Sequence, residues 1–594
     1  MSRRSRQPDA ILLSLSWGIL WGLALGMWVL GPRLITDHQI RFDSLDQRIA
    51  VVGVLAGIFA SLGGLLVLIG GFLLTLVEGY AGSFTDRRWA YALGGGVLLV
   101  ALYCADSALV HWFAFGSNLW DMRVPLATGA AVCASGLLVA RHVYMRIIRG
   151  GCRVSTRPLA FSVAGAACVG AIVTGTVGAG GPPPAPVAEV LKPIQTDRDR
   201  PPLLFVGLDG ASWNALRSEI ENGSAPTLRR LIDQGTHGTM EALWPPHHWS
   251  GAAWAAILTG RPRETNGVYE DLAARADGLP AFQFPLAGSF LTNPIYSIRK
   301  MLVELGVIEV SLHSRAMLNG VPVWEYLYAA GIDTAVVRFR FTYPPDGRAT
   351  VVVSDRVGHD GWTTFGVRRD PIAAGVTPSE RAAELLEPFR PERPANRALL
   401  EQLLPKLDRI RPSDSAPNPL EALDSAADID DRTFDISERI LDRNPEQPFL
   451  GVYIVGLDSV AHAFWQYRFP DSYDDPPTPD DVARLGAVLP RYIRYIDERL
   501  QRLLSRYAAR PNVLIVSDHG QGPTDDPTNV WRGFHTNQAI VLASGPSVAP
   551  ESAAIRVSYY DILPTVLSLM GLNPPADAIG RSFLRSGTAD HERR

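Results

Sequence analysis

The stretch Leu203-Leu204-Phe205-Val206-Gly207-Leu208-Asp209-Gly210 decides the fold of the second part of this chain. Its apolar run stops at an acid and a glycine, which predicts a buried strand that delivers a carboxylate at its C-terminal end. Two later stretches repeat the pattern: residues 449–455 lead to Asp458, and residues 513–516 lead to Asp518 and His519. Such runs predict an α/β domain with a mostly parallel sheet flanked by helices.

The acids that follow these three runs are expected to meet. Open α/β sheets bind their ligands outside the carboxyl ends of the strands, so Asp209, Asp458 and Asp518 can converge on one crevice. A single acid in such a position is more often a helix cap or a turn former, but the joint occurrence favours a functional site. His462 follows Asp458 by four residues, so both can lie on one face of a helix and share a divalent ion.

Further motifs accompany these residues in a fixed order along the chain. They are Pro226-Thr227-Leu228, Pro245-Pro246, Ser250-Gly-Ala-Ala-Trp254, Leu258-Thr259-Gly260, Val323-Trp324-Glu325, Phe341-Thr-Tyr-Pro-Pro345, Asp458-Ser-Val-Ala-His462, Ser517-Asp518-His519-Gly520, residues 535–545 and Tyr560-Asp561-Ile562-Leu563-Pro564-Thr565. This series resembles the alkaline phosphatase superfamily and, within it, the type I phosphodiesterase/nucleotide pyrophosphatase family. Several motifs are similar to those of a subgroup of predicted phosphohydrolases and phosphomutases. The resemblance spans roughly residues 203–585 and implies an alkaline-phosphatase-like sheet with a cap insertion.

The resemblance also implies a site that holds two divalent metal ions. One ion would be held by Asp209, Ser250, Asp518 and His519, and the other by Asp458, His462 and His535. Ser250 occupies the position of the nucleophile, where relatives carry Thr or Ser. Zinc is the expected metal for a mixed Asp/His shell, and manganese or iron would also fit. Ser250 can also cap the helix that follows it, and the two roles are compatible because a helix N-terminus attracts phosphate.

Substrate contacts are expected from three further residues, Asn266, His248 and Arg340. Asn266 stands where relatives often carry His, and His248 belongs to an unusually aromatic run just before Ser250. Arg340, like Arg338, could contact an anionic substrate, with alternate positions on a solvated strand face as the other interpretation. These differences from the family pattern are expected to affect the preference for the leaving group more than the metal site.

The expected chemistry follows from the negative charge of a phosphodiester, which repels nucleophiles. A site must neutralise that charge while it activates an attacking oxygen, here the Ser250 hydroxyl, and a phospho-serine intermediate would then be released. The first hypothesis is a phosphodiesterase or pyrophosphatase-like hydrolase. The second is a transferase that moves phosphoethanolamine or glycerol phosphate from a lipid to an envelope acceptor, and the third is a catalytically silent membrane scaffold.

Two other classes are disfavoured. Sulfatases share the superfamily, but Ser250-Gly-Ala-Ala-Trp254 lacks the Pro and Arg of their modified-residue motif, and all four cysteines lie before residue 180. The chain has a net charge of −4, a pI near 6.3 and no long basic stripe, so nucleic acid is not an expected partner. The expected substrate is a phosphodiester or a lipid-linked phosphate.

The first part of the chain differs in kind, because apolar stretches of membrane-spanning length follow one another. They cover about residues 11–31, 50–77, 90–112, 124–145 and 158–180. We therefore expect an all-α transmembrane domain of about five helices at 1–180, a Pro-rich linker at 181–202 and the catalytic domain at 203–594. Within the last, insertions near 270–320 and 375–440 are expected to build a cap over the site.

The orientation follows from the positive-inside rule, with the N-terminus in the cytoplasm. The inner segments hold Arg3, Arg4, Arg6, Arg87, Arg88, Arg141, Arg146, Arg149, Arg153 and Arg157, against Arg33, Arg41, Arg48 and Arg123 outside. An odd number of crossings then puts the catalytic domain on the periplasmic or extracellular side of the plasma membrane. A compartment-sensitive reporter fused after Val187 should therefore be active outside, and activity only in the cytoplasm would reverse the topology.

Overall fold

The structure of the protein is a computed structural model. It describes residues 200–241, 250–268, 272–275, 282–283, 309–345, 347–357, 375–387, 397–405, 418–525, 531–551 and 553–584. The predicted spans at 1–180, the linker up to residue 199 and His248 lie outside these residues. Within them, every helix is too short or too polar to cross a bilayer.

The chain divides into two compact units, residues 1–181 with 275–308, and residues 182–274 with 309–594. The second unit contains the predicted catalytic domain apart from residues 275–308. Its strands are β1 (Leu203–Leu208), β2 (Gly235–Glu241), β3 (Leu272–Arg275), β5 (Glu309–Leu312), β6 (Thr334–Val337), β7 (Val351–Val353), β8 (Val376–Thr377), β9 (Phe449–Ile454), β10 (Asn512–Val516), β11 (Gly520–Pro523), β12 (Gly533–Thr536), β13 (Gln538–Ser544) and β14 (Ile555–Val557). The short strand β4 (Phe282–Gln283) belongs to the first unit.

Helices connect most of these strands. They are α1 (Trp213–Glu221), α2 (Pro226–Asp233), α3 (Ser250–Thr259), α4 (Arg263–Asn266), α5 (Val323–Ala329), α6 (Ala382–Leu385), α7 (Arg397–Leu403), α8 (Pro419–Arg443), α9 (Gly456–Arg468), α10 (Pro479–Leu485), α11 (Val488–Leu504) and α12 (Ile562–Leu569). Short 3-10 helices lie at Arg315–Met317, Ser379–Arg381, Pro470–Ser472 and Tyr559–Asp561.

The main sheet has nine strands in the order β14-β2-β13-β10-β1-β9-β6-β7-β8. The five central strands, from β10 to β7, are all parallel, whereas β13 and β8 run antiparallel to their inner neighbours. The α/β prediction of a mostly parallel sheet with flanking helices is thereby confirmed. In register, Gly207 of β1 lies beside Tyr453 of β9 and Val516 of β10, so the carboxyl ends of these strands are level.

Hydrophobic cores cover both faces of the sheet. The alternation within β1 sends Leu204 and Val206 into one core, and Leu203 and Phe205 into the other. All six residues of β1 are buried, as an internal strand of a doubly covered sheet requires. Helices α8, α9 and α11 contribute to the first core, and α3, α5 and α12 contribute to the second.

Most of helix α8 falls within the segment 375–440 that the sequence suggested as part of a cap. Its apolar face, which includes Leu423, Ala427 and Phe434, belongs to the first core beneath the sheet. The described part of this segment therefore contributes to the body of the domain through α8.

Gly207 shows how closely the second core packs on β1. A Cβ at this position would lie 2.7 Å from the Trp254 ring and 2.9 Å from the Phe339 ring. Both rings are fully buried, so they have no room to move away. Glycine at the penultimate position of β1 thus lets α3, which begins at Ser250 and carries Trp254, lie directly against the strand that ends before Asp209.

Candidate metal centre

A first group of side chains meets at the carboxyl ends of β1 and β10. Asp209 follows β1, Ser250 is the first residue of α3, and Asp518 and His519 lie between β10 and β11. The Ser250 hydroxyl lies 3.5 Å from Asp209 Oδ1 and 3.3 Å from His519 Nε2. His519 Nε2 is also 3.5 Å from both Asp209 Oδ1 and Asp518 Oδ2. We call these four residues the inner group, because each is at most 5% exposed.

A second group lies beside the first and is partly open to solvent. Asp458 and His462 stand one turn apart on α9, as their spacing predicted, and His535 comes from β12. His462 Nε2 lies 3.4 Å from Asp458 Oδ1 and 2.9 Å from His535 Nε2, and His535 Nε2 lies 3.7 Å from the same Asp458 oxygen. The side chains are 12–18% exposed. We call these three residues the outer group.

Asp458 connects the two groups. Its Oδ1 is 3.9 Å from His519 Nε2. One ligand atom from each of Asp209, Asp458 and His519 lies within 4.8 Å of the other two. One ligand atom from each of the three outer residues likewise lies within 4.8 Å of the other two. All seven residues proposed from the sequence therefore meet in one place, although they are scattered over more than three hundred positions of the chain.

The backbone orients the imidazole rings of both groups. His462 Nδ1 lies 2.7 Å from the carbonyl oxygen of Gly533, and His519 Nδ1 lies 3.1 Å from that of Gly520. An Nδ1–H that donates to a carbonyl leaves the Nε2 lone pair free to bind a metal ion. In each ring it is Nε2 that faces the carboxylates, so both rings are oriented as ligands.

Helix α9 is held in place by a buried acid of α8. Asp430, fully buried, accepts hydrogen bonds from the backbone N–H groups of Val455 and Gly456 at 3.0–3.2 Å, and from the Tyr492 hydroxyl at 2.8 Å. A Cβ on Gly456 would lie 2.5 Å from Asp430 Oδ2, so the glycine is needed for this approach. The acid caps α9 from a neighbouring helix and thereby fixes the direction from which Asp458 enters the site.

The electrostatics of the inner group show an excess of negative charge. Burial raises the pKa of Asp209 well above its usual value, and the charges of Asp518 and Asp458 raise it further. The buried Oδ2 of Asp518 accepts no hydrogen bond from the residues that the structure describes. Carboxylates this close, with an oxygen left without a donor, fit a bound cation.

In the outer group, acid and base stabilise each other's charge. Burial favours the neutral form of Asp458, but the positive charges of His462, His519 and His535 outweigh it and hold the pKa of Asp458 well below its usual range. The pKa of His462 is raised, because the charge of Asp458 outweighs the effect of burial. A divalent ion would replace these protons as the partner of Asp458.

The candidate substrate residues take different positions. Asn266 is fully buried, and its amide group donates to the Arg261 carbonyl and accepts from the Val268 N–H within its own turn. Arg338 and Arg340 follow β6 and are only 2% and 6% exposed, so the interpretation of a solvated strand face is wrong. Contact of Asn266, His248 or Arg340 with a substrate stays a prediction.

The sequence did not single out three side chains that position residues of the site. Besides Asp430 on α8, Gln521 donates from Nε2 to Asp458 Oδ1 at 2.5 Å, and the Tyr453 hydroxyl donates to Asp209 Oδ2. Burial and the charge of Asp209 raise the pKa of Tyr453 well above 10, so the hydroxyl keeps the proton that it donates. Tyr453 was detectable in principle, because a tyrosine within a wholly apolar run must find a partner for its hydroxyl.

Known proteins resemble this chain in sequence and in structure. A phosphopentomutase of Chelativorans is 36% identical over 108 residues, which are 18% of this chain and 24% of that protein. Among solved structures, a phosphonoacetate hydrolase of Sinorhizobium meliloti is 15% identical with a TM-score of 0.30 and coverage of 55% of this chain and 58% of the other. The alkaline phosphatase PafA is 11% identical with a TM-score of 0.36 and coverage of 64% and 98%.

The match to the phosphopentomutase spans about a quarter of the length of that relative. A family model, in contrast, matches most of the second unit. The model of type I phosphodiesterase / nucleotide pyrophosphatase covers residues 203–577 and so includes every residue of the inner and outer groups. The chain therefore belongs to the type I phosphodiesterase/nucleotide pyrophosphatase family.

Proposed function

We propose that the protein is a two-metal phosphodiesterase or pyrophosphatase-like phosphohydrolase with Ser250 as its nucleophile. The observation that carries this proposal is the position of the Ser250 hydroxyl, within 3.5 Å of Asp209 and His519 in a buried cluster of acids and histidines. Membership of the family supports the reaction class. The phosphoric ester bond is the one that such a cluster is suited to break.

The inner and outer groups would each hold one divalent ion, with zinc as the first expectation and manganese or iron as alternatives. When bound, the ions neutralise the charge of the phosphoryl group and make hydroxyl groups more acidic. The donor set fits this role, because it joins three carboxylates to three imidazoles around one serine.

The chain's own residues would position the phosphate and provide the nucleophile. Ser250 starts α3, so its hydroxyl and any bound phosphate lie at the positive end of a helix. Its Oγ loses its proton and forms a bond to phosphorus as the bond to the leaving oxygen breaks, and the leaving oxygen takes up a proton to depart as an alcohol; water later cleaves the bond between Oγ and phosphorus, which releases the phosphomonoester and restores the hydroxyl. Burial of Asp209 and His519 keeps bulk water away from the attacking oxygen.

The proposed setting is the outer face of the plasma membrane. The predicted spans would anchor the protein as a multi-pass membrane protein, with the catalytic domain in the periplasmic or extracellular space. The substrate would be a phosphodiester or a lipid-linked phosphate, with Asn266, His248 and Arg340 as candidate contacts. The buried guanidinium of Arg338 follows β6 and adds positive charge at the carboxyl end of that strand. Its Nε and Nη1 have no hydrogen-bond partner in the described structure.

A second candidate is transfer of a phospho-head-group to an acceptor alcohol in place of water. The similarity to a phosphopentomutase favours it, because a mutase delivers a phosphoryl group to a hydroxyl. In a membrane protein the donor would be a lipid carrying phosphoethanolamine or glycerol phosphate. Both functions share the same metal groups and the same serine.

Removal of an outer ligand tests the two-metal proposal. His535→Ala should lower bound metal from about two ions per chain to about one, and slow hydrolysis of bis-p-nitrophenyl phosphate on the order of a hundredfold. Elemental analysis with steady-state assays would measure both, and His237→Ala, on β2 and outside both groups, is the matched control. Well under one ion per chain in the wild type, together with no hydrolysis under varied metals, would favour the silent scaffold.

Removal of the hydroxyl at Ser250 tests the nucleophile. Ser250→Ala should reduce turnover roughly a thousandfold or more while metal content stays unchanged, because the remaining ligands are intact. Ser250→Thr keeps a hydroxyl at the same atom and should retain activity. An alanine variant that kept most of its activity on a phosphodiester would show that another group attacks phosphorus.

The fate of a labelled head group separates hydrolase from transferase. Incubation of the full-length protein with labelled phospholipid and an acceptor glycan should give free head group if water is the acceptor. Chromatography of the products would detect the alternative as label on the acceptor. Label found mainly on the acceptor would replace the hydrolase proposal with the transferase.

A further inference from the structure

A chain of three buried polar side chains ends on the inner ligand Asp209. Arg340 donates from Nε to the Tyr453 hydroxyl at 3.3 Å, and that hydroxyl donates in turn to Asp209 Oδ2. Arg340 and Tyr453 are only 6% and 5% exposed, and Asp209 is 1% exposed. A cation, a phenol and a carboxylate are thus connected in a part of the domain that excludes water.

The ring of Tyr453 is fixed by aromatic neighbours. Trp254 meets it edge-on at 5.2 Å between ring centroids, and Phe339 packs against it at 5.6 Å. Trp254 lies on α3 one turn after Ser250, and Phe339 lies between Arg338 and Arg340. The packing that places the nucleophile therefore also aims the Tyr453 hydroxyl.

The two oxygens of Asp209 have separate partners. Oδ2 accepts from Tyr453, whereas Oδ1 lies 3.5 Å from both the Ser250 hydroxyl and His519 Nε2. A carboxylate rotates about its Cβ–Cγ bond unless one oxygen is held, and an oxygen that already accepts a strong hydrogen bond is a weaker metal ligand. The contact with Tyr453 thus decides which oxygen faces the nucleophile.

The positive charge of Arg340 opposes the repulsion within the inner group. Asp209 shares the inner group with Asp518, and a carboxylate oxygen of Asp458 lies within 4.8 Å of one of Asp209. Two hydrogen bonds, through the Tyr453 hydroxyl, connect this buried cation to the carboxylate of Asp209.

We propose that Tyr453, supported by Arg340, is a positioning residue that holds Asp209 Oδ2 and presents Oδ1 to the inner metal ion and Ser250. This inference rests on the proposed function, because it assigns a role towards an ion that the inner group would hold. It gives Arg340 a task that does not require contact with substrate.

The test compares Tyr453→Phe with the wild type and with Tyr507→Phe. Phenylalanine keeps the ring that Trp254 and Phe339 pack against and removes only the donor to Asp209. Tyr507 is a matched control, because it is buried in the same domain and its hydroxyl has no hydrogen-bond partner in the described structure. The full-length protein is loaded with Zn²⁺ or Co²⁺, and metal dissociation constants are measured by competition with a chelator.

We expect Tyr453→Phe to weaken the binding of one of the two ions about ten- to hundredfold and to leave the other ion within about twofold. The visible absorption of the Co²⁺ form should change, because the carboxylate is no longer held. kcat should fall while KM changes little, whereas Tyr507→Phe should match the wild type in all three measurements. Arg340→Gln, which keeps a donor but not the charge, should weaken the same ion by a smaller factor.

Equal dissociation constants in Tyr453→Phe and the wild type would overturn the positioning role, and so would an equal loss at both ions. If Tyr453→Phe does not fold, Arg340→Gln serves as the test instead. Metal affinity equal to that of the wild type in Arg340→Gln would then overturn the proposal. The wild-type protein tests the proposed function by itself, if it binds two ions and hydrolyses the diester. In that case the proposed function stands even when the positioning role fails.

Discussion

The repulsion among three carboxylates at one edge of the sheet is the constraint on which the rest of this structure depends. β1 lies between β9 and β10, and the carboxyl ends of the three strands are level, so Asp209, Asp458 and Asp518, which follow these ends, lie close together. At about 4 Å and an effective dielectric constant of about 20, two unit charges interact by roughly 4 kcal/mol. Positive charge at this edge lowers the repulsion, and His462, whose pKa is raised by Asp458, the nearby Arg340 and a bound cation can each supply it.

The scaffold meets this constraint by fixing each acid from outside the site. Asp430 caps the helix that carries Asp458, and Gln521 donates to its carboxylate. Gly210 N–H donates to Asp518 Oδ1 at 3.2 Å, and the Tyr559 hydroxyl donates to the Asp518 carbonyl. Asp430 accepts hydrogen bonds from the start of α9 and the other three partners donate, all from fixed positions, so the acids are ordered before any ion arrives, which lowers the entropy cost of binding one.

The sequence predicted the part of this arrangement that depends on local patterns. Each apolar run that ends at an acid became a central parallel strand, and the spacing from Asp458 to His462 became one helical turn. Tyr453, Gln521 and Asp430 were not predicted, because each acts across an interface between elements far apart in the chain. Asp430 is an acid inside a long helix, and only the packing of α8 against α9 shows that it is a cap.

The two groups differ in burial, and this difference has a chemical consequence. The inner group holds Ser250 and is nearly closed to solvent, whereas the outer group is partly exposed along α9 and β12. In the proposed mechanism the leaving alcohol departs to solvent, and the water or acceptor that releases the phospho-serine enters from solvent, so both pass the partly exposed outer group. The proposed nucleophile, Ser250, lies in the inner group, from which bulk water is largely excluded. Under the proposed function, the buried inner group would be the place of attack at phosphorus and the exposed outer group the place of exchange with solvent, and Asp458 connects the two groups.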